Sequence, residues 1–246
     1  MPHGVAPVLD MANDWPSQYD RSIGLFLNPP AIISILLALS VHEWAHGMIA
    51  RWLGDPTAEM EGRLTLNPLA HLDPLGVLMF VFAGFGWGKP VPVNPFYFRS
   101  PKRDTALVSL AGPASNFLLA WIAFIGLLLV DGSYFIPSIG GVLQPTLGRG
   151  VLLIFEQIFR TSIIINLGFM AFNLLPIAPL DGSKILRLFI PRHIEHSYND
   201  FMQYGPFLLL FLLIADRFTG LPLLFWWVDG IAEAVLKMMS WVAGWL

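Results

Sequence analysis

The sequence predicts an all-α polytopic membrane protein with about five to six transmembrane helices and a re-entrant or short extended region between its first two spans. Three observations predict it. The 246-residue chain is 55% apolar and only 13% charged, about half the charged fraction of an ordinary globular domain. Its mean hydropathy is +0.63. Three apolar runs, residues 31–53, 105–130 and 150–175, are each long enough to cross the hydrocarbon core of a bilayer. The same composition excludes several function classes. A net charge of −3 provides no basic surface for nucleic acid. With 19 Phe and 9 Trp and no low-complexity tract, the chain is not a disordered one. Cysteine is absent, which removes disulfides, iron–sulfur clusters and thiol catalysis and leaves His, carboxylate or amide groups as metal ligands.

Residues 1–22 form a polar tail carrying Asp10, Asp14 and Asp20, and without a cationic cluster ahead of an apolar run they do not read as a cleavable signal. Residues 23–246 read as a single membrane-embedded domain, with a core at 31–189, because no repeat or long linker divides them. Run 31–53 follows Pro29 and Pro30, which suit a helix start, and rises roughly 34 Å. In residues 61–68 and 89–95, apolar positions alternate with polar ones or with prolines, the pattern of short extended segments; the prolines confine the second to an edge. Run 75–87 is too short to span and ends in Gly84, Gly86 and Gly88, so it reads as re-entrant or buried, its glycines a flexible part of a water path. Runs 105–130 and 150–175 both cross. Run 201–215 is a shorter candidate. Run 221–246 has Asp229, Glu233 and Lys237 on one stripe and either crosses or lies at the interface, with Trp226, Trp227, Trp241 and Trp245 as interfacial anchors.

Alternate spanning places Arg51, Arg63, Lys89, Arg99, Lys102, Arg103, Lys184, Arg187 and Arg192 on one side, against Arg21, Arg149 and Arg217 on the other. The first side is therefore expected to be cytoplasmic and the N-terminus non-cytoplasmic. Arg160 lies inside an apolar run, four residues after Glu156, and reads as half of an i, i+4 ion pair.

The chemistry concentrates in His42-Glu43-Trp44-Ala45-His46. On a helix, a spacing of four puts both imidazoles on one face, where they can share a zinc ion, while Glu43 can reach water at the metal. Three ionisable residues in five positions of a membrane helix are costly unless they work. A catalytic zinc needs a third protein ligand and an open position. Gly47 to Arg51 offer no third ligand. Asp181 is the best choice, because topology brings it to the same side as the His pair; its plain alternative is a helix N-cap ahead of Ser183. His71, beside Asp73 and Pro74, reads as a turn residue, and His193 and His196, flanking Glu195, as a solvated face.

Taken together, the His42-Glu43-x-x-His46 helix, Gly112-Pro113-Ala114-Ser115-Asn116 and the stretch from Asn173 to Gly182 resemble the site-2 protease family of intramembrane zinc metalloproteases, peptidase M50. Residues 67–76 and 88–95 resemble its compact prokaryotic subgroup, without room for a PDZ domain and with no CBS-like segment. The resemblance implies His42, His46 and Asp181 as ligands of one Zn2+, Glu43 as the catalytic base, and Asn116 and Asn173 as polar groups near the substrate. Asn116 could donate to the oxyanion or hold the substrate backbone; for both asparagines the plain alternative is an interhelical hydrogen bond. The implied activity is cleavage of a transmembrane protein or peptide within the cell membrane, among lipids and near the cytoplasmic face, as in regulated intramembrane proteolysis, with no nucleic-acid partner. Three rivals compete. A metal or proton transporter could use the same His-Glu-His cluster, but nothing in transport asks for Glu43 between the two His. A di-iron oxygenase would draw on six His in all, a thin supply for two imidazole-rich irons. A non-catalytic relative would bind membrane helices without cutting them, and the intact Glu43 argues against it.

Overall fold

The computed structural model describes residues 28–83, 85–130, 147–219 and 223–244. The expected tail at 1–22, Gly84 and Trp245 lie outside them. The described residues are helical: α1 (Pro29–Trp52), α2 (Thr57–Met60), α3 (Pro74–Ala83), α4 (Pro101–Val130), α5 (Leu147–Asn173), α6 (Asp181–Phe189), α7 (Glu195–Met202), α8 (Gly205–Thr219) and α9 (Leu223–Ala243). Single 3-10 turns stand at Pro68–Ala70, Pro95–Tyr97 and Arg192–Ile194. Among them, α1, α4 and residues 150–173 of α5 are long and apolar enough to cross a membrane. α8 offers a shorter apolar stretch, Gly205–Ala215. α9 has 21 residues but carries Asp229, Glu233 and Lys237, the last two paired at 2.5 Å. Its Trp226 and Trp241 are exposed, whereas Trp227 donates from Nε1 to Ala171 O at 3.0 Å.

Polarity along the spanning helices runs the opposite way from a water-soluble fold. Ile32, Ile33 and Leu37 on α1, Leu118, Ile122, Ile125 and Leu129 on α4 and Val151 to Phe155 on α5 face outward. Ser34, Ser40, His42, Glu43, His46, Asn116, Ser162 and Asn166 are buried. Lipid rewards that arrangement, since apolar side chains lose nothing in it while polar groups must find partners inside the protein. The expected Glu156–Arg160 pair forms at 2.9 Å.

The described residues fall into two compact units, those within 28–38, 117–130, 147–168 and 229–244 in one, those within 39–83, 85–116, 169–219 and 223–228 in the other. In the first, Phe124, Leu127, Ile163, Leu167, Leu236 and Met239 are almost wholly buried. Gly126 lets α4 approach α5, because a Cβ there would stand 2.6 Å from Phe159 Cζ. The second unit holds every residue of the candidate site. Its core includes Ala50, Phe98 and Val108, with Ile49, Leu53 and Val93 packed against them.

Two extended segments are expected between the first two spans, and the described residues there form no strand, only an isolated antiparallel bridge between Leu72 and Gly88. Beyond the backbone bond from Lys89 N–H to His71 O at 2.8 Å, residues 89–94 are held by side chains. Arg63 Nη2 donates to Lys89 O (2.8 Å) and Pro90 O (3.2 Å), Val91 N–H donates to Glu43 Oε2 at 2.8 Å, and Asn94 N–H to Asp55 Oδ2 at 2.6 Å. With prolines at 90, 92 and 95 the segment lacks the donors for a ladder. The run expected to be re-entrant contains the ten-residue α3, whose Leu75, Leu78, Val81 and Phe82 are exposed. Its glycines at 86 and 88 stand in close contact with their surroundings. A Cβ on Gly86 would meet Phe80 Cβ at 2.7 Å, and one on Gly88 would meet Leu39 Cδ1 at 2.6 Å. His71 does sit in a turn, as the C-cap of a 3-10 helix; it is fully buried, with Nε2 2.7 Å from Thr65 O. His196 lies in the expected solvated stretch, 92% exposed.

Candidate metal centre

Four residues along α1 separate His42 from His46, and their rings meet edge to face with centroids 4.5 Å apart. α4 clasps them on a matching spacing. Asn116 Oδ1 lies 2.6 Å from His42 Nδ1, and Val108 O lies 2.7 Å from His46 Nδ1. Gly112, midway between, leaves room for the rings themselves, since a Cβ there would stand 2.5 Å from both His42 Cε1 and His46 Nε2. Positions 108, 112 and 116 share a helix face, so one side of α4 fixes both imidazoles. Gly112→Ala is therefore expected to push the rings off the α4 face to which their hydrogen bonds hold them, and to lower zinc occupancy of the purified protein severalfold by metal analysis; full occupancy would mean the rings can give way.

Asp181 opens α6. The chain reaches it through Leu174 to Leu180, where a cis Ala178–Pro179 bond occurs. Gly182 presses against Leu174 and Leu175, whose carbonyl oxygens a Cβ would strike. Ser183 Oγ donates to Leu180 O at 2.7 Å, and Tyr198 Oη to Ser183 O at 2.6 Å. Farther along, Glu195 pairs with Lys102 at 3.3 Å and with Arg187 at 2.9 Å. The hydrogen bond from Lys102 is the largest effect on the Glu195 carboxyl; burial opposes it, and Arg187 adds to it, which leaves the carboxyl below the usual carboxylate range. That pairing is intact at neutral pH and is lost as acid titrates the carboxylate.

These elements bring three atoms together. His42 Nε2 and His46 Nε2 are 3.0 Å apart, and Asp181 Oδ2 is 3.2 Å from each. All three residues are buried. The partners of both Nδ1 atoms are oxygens that can only accept, so each neutral ring carries its proton on Nδ1 and presents an Nε2 lone pair. Asp181 Oδ2 is buried and receives no hydrogen bond. With both rings neutral, three acceptors converge, an arrangement that a shared cation satisfies. Their separations are slightly under the roughly 3.3 Å between ligands that each lie about 2.0 Å from a tetrahedral zinc. The donor set, two imidazoles and one carboxylate, also suits zinc.

Beside the three atoms opens a cleft of about 350 Å³. Glu43, Asn173 and Lys184 line it, with Val91 and Val93 of the extended segment along one wall. Asn116 is fully buried, with its amide oxygen against His42. Asn173 donates from Nδ2 to Phe169 O at 3.0 Å, a bond within its own helix. Two groups that touch the site, Val108 and Gly112, are not among the candidates the sequence yields. Val108 acts through its backbone carbonyl and leaves no side-chain signal, whereas Gly112 and Asn116 repeat the four-residue spacing of the histidines, a signal present in the sequence. Val91 N–H, the partner of Glu43, is likewise a backbone group.

The model of peptidase family M50 matches residues 30–213. The chain belongs to peptidase family M50. It is similar to YwhC of Bacillus subtilis, named as a candidate zinc metalloprotease, with 36% identity over 88% of this chain and 93% of that one. It is also similar to Rip2 of Mycolicibacterium smegmatis, described in the same way, at 29% identity over 84% of this chain and 75% of the relative, and to Rip2 of Mycobacterium tuberculosis, at 31% over 75% and 66%. No solved structure matches it. Membership of M50, with the apolar helices described above, makes the chain a membrane-bound zinc metalloprotease, and among the described residues His42, His46 and Asp181 form a group able to bind a metal.

Proposed function

We propose that this protease hydrolyses peptide bonds in or near transmembrane segments of other membrane proteins, as in regulated intramembrane proteolysis, with His42, His46 and Asp181 holding one zinc ion and Glu43 as the base. The convergence of one ligand atom each from His42, His46 and Asp181 beside a glutamate that lines the same cleft is the observation that carries this reading. Bound there, zinc supplies Lewis acidity for the scissile carbonyl and activates water near neutral pH.

The chain's own residues supply the rest. One oxygen of Glu43 accepts from Val91 N–H, which fixes the carboxylate, and the other takes a proton from the attacking water. As the water oxygen bonds to the carbonyl carbon and the C–N bond breaks, Glu43 returns that proton to the leaving nitrogen. Asn116, held against His42 Nδ1, fixes the tautomer and aim of that ring; Asn173, on the cleft wall, is the better placed of the two asparagines to meet substrate.

A helical substrate has its peptide bonds turned into its own hydrogen bonding and must unwind to be cut. Residues 89–95, already extended along the cleft, offer an edge to the unwound strand. Prolines and side-chain clamps occupy most of that edge. Among its donors, Lys89, Val91 and Asn94 are engaged, so Val93 is the residue with which a substrate strand would pair. The bias of basic residues, nine against three, argues for a cytoplasmic-side site and a non-cytoplasmic N-terminus.

The test is cleavage by the purified full-length protein in lipid vesicles with a transmembrane substrate. Fragments are expected to appear, to stop on adding a zinc chelator and to return with zinc. Ion flux without any fragment would favour the transporter reading instead.

A further inference from the structure

We propose that Lys184 is a positioning residue that holds Asp181 to ligation through a single oxygen. The proposal rests on His42, His46 and Asp181 being the zinc ligands. The two oxygens of Asp181 have separate surroundings. Oδ2 lies 3.2 Å from both Nε2 atoms, while Oδ1 faces Lys184 Nζ at 3.6 Å. An i, i+3 ion pair on an exposed helix is ordinarily worth little. Here the carboxylate is buried, only 5% exposed, and Lys184 is the one lysine or arginine lining the cleft.

The backbone that carries the lysine is held in place, while its side chain is 48% exposed. α6 carries both residues on its first turn, and that turn is tied down by the Gly182 contact with Leu174 and Leu175 and by Tyr198 Oη on Ser183 O. A divalent cation attracts both oxygens of a carboxylate. If the second oxygen joined, it would fill the position that a catalytic zinc keeps for water and the substrate carbonyl. An ammonium beside Oδ1, in surroundings less polar than water, competes for that oxygen. Lys184 thereby preserves the open position without touching the reacting atoms.

The experiment compares full-length wild type, Lys184→Met and Lys184→Arg on three readouts. These are zinc affinity by chelator competition, kcat and KM on a transmembrane substrate, and the visible absorption of protein loaded with cobalt(II) in place of zinc. In Lys184→Met, zinc affinity is expected to hold or rise and kcat to fall about tenfold or more, the range for groups that orient metal ligands. KM is expected to stay within about twofold of wild type, and the cobalt bands to shift as a second carboxylate oxygen takes the place of water. Lys184→Arg should restore all of these. The proposal is overturned if Lys184→Met keeps wild-type kcat and cobalt spectrum. It is overturned too if KM alone rises, which would make the lysine a substrate contact, or if zinc affinity drops with the spectrum unchanged, which would make its role structural. A wild-type protein that takes up neither zinc nor cobalt overturns the ligand assignment itself, and this proposal with it.

Discussion

Glu43→Gln is expected to reduce cleavage of a transmembrane substrate by roughly 10³-fold or more, within the range for loss of a general base, with zinc content unchanged. Glutamine keeps the length and shape of the side chain, and its amide oxygen can still accept from Val91 N–H, which Glu43 Oε2 does at 2.8 Å. The extended segment along the cleft should therefore stay in place. The amide cannot take up a proton from water, so the loss isolates the proton-transfer role. Metal analysis and single-turnover cleavage of the same preparation are the measurements. A variant that still cuts at a tenth of the wild-type rate would remove Glu43 from the chemistry.

Asp181→Ala is expected to act one step earlier, on the metal. Without the carboxylate, two imidazoles remain to hold zinc, and affinity should fall on the order of 100-fold or more, beyond the 10–100-fold typical when only an orienting partner is lost. The buried Nε2 lone pairs, 3.0 Å apart, would also lose the cation that reconciles them. Activity should fall with occupancy and partly recover at high zinc. Unchanged occupancy at low free zinc would move the third ligand elsewhere. Glu43→Gln and Asp181→Ala thus separate chemistry from binding: one keeps metal without turnover, the other loses turnover through metal.

Much of the site is legible in the amino-acid sequence. The His42–His46 spacing commits both rings to one helix face, because four residues make about one turn of an α-helix. Asp181 is legible by depth, on the expectation that alternate spanning brings its end of the apolar run to the side of the His pair. Asn116 is legible as a polar group near the site, but its contact with His42 Nδ1 depends on the rotation of α4, which periodicity alone does not fix. Pairing by backbone is not legible at all. Val108 O and Val91 N–H belong to residues whose side chains say nothing of the hydrogen bonds their main chain makes. The glycines at 86 and 88 mislead for a related reason. A glycine in sequence is compatible with freedom or with close contact, and here Phe80, Leu39 and neighbouring backbone fill the space a side chain would need. The extended segments show the same limit. Alternation predicts their shape, and the prolines predict the missing ladder, but the clamps that replace it, from Arg63, Glu43 and Asp55, come from three separate places in the chain.

X-ray absorption at the zinc edge of the purified full-length protein tests the central assignment most directly. The expected result is about one zinc per chain, with scattering from two imidazole rings and from oxygen ligands at about 2.0–2.2 Å, and with one imidazole contribution lost when His46 is replaced by alanine. Absence of zinc, or a zinc spectrum without imidazole scattering, would contradict it.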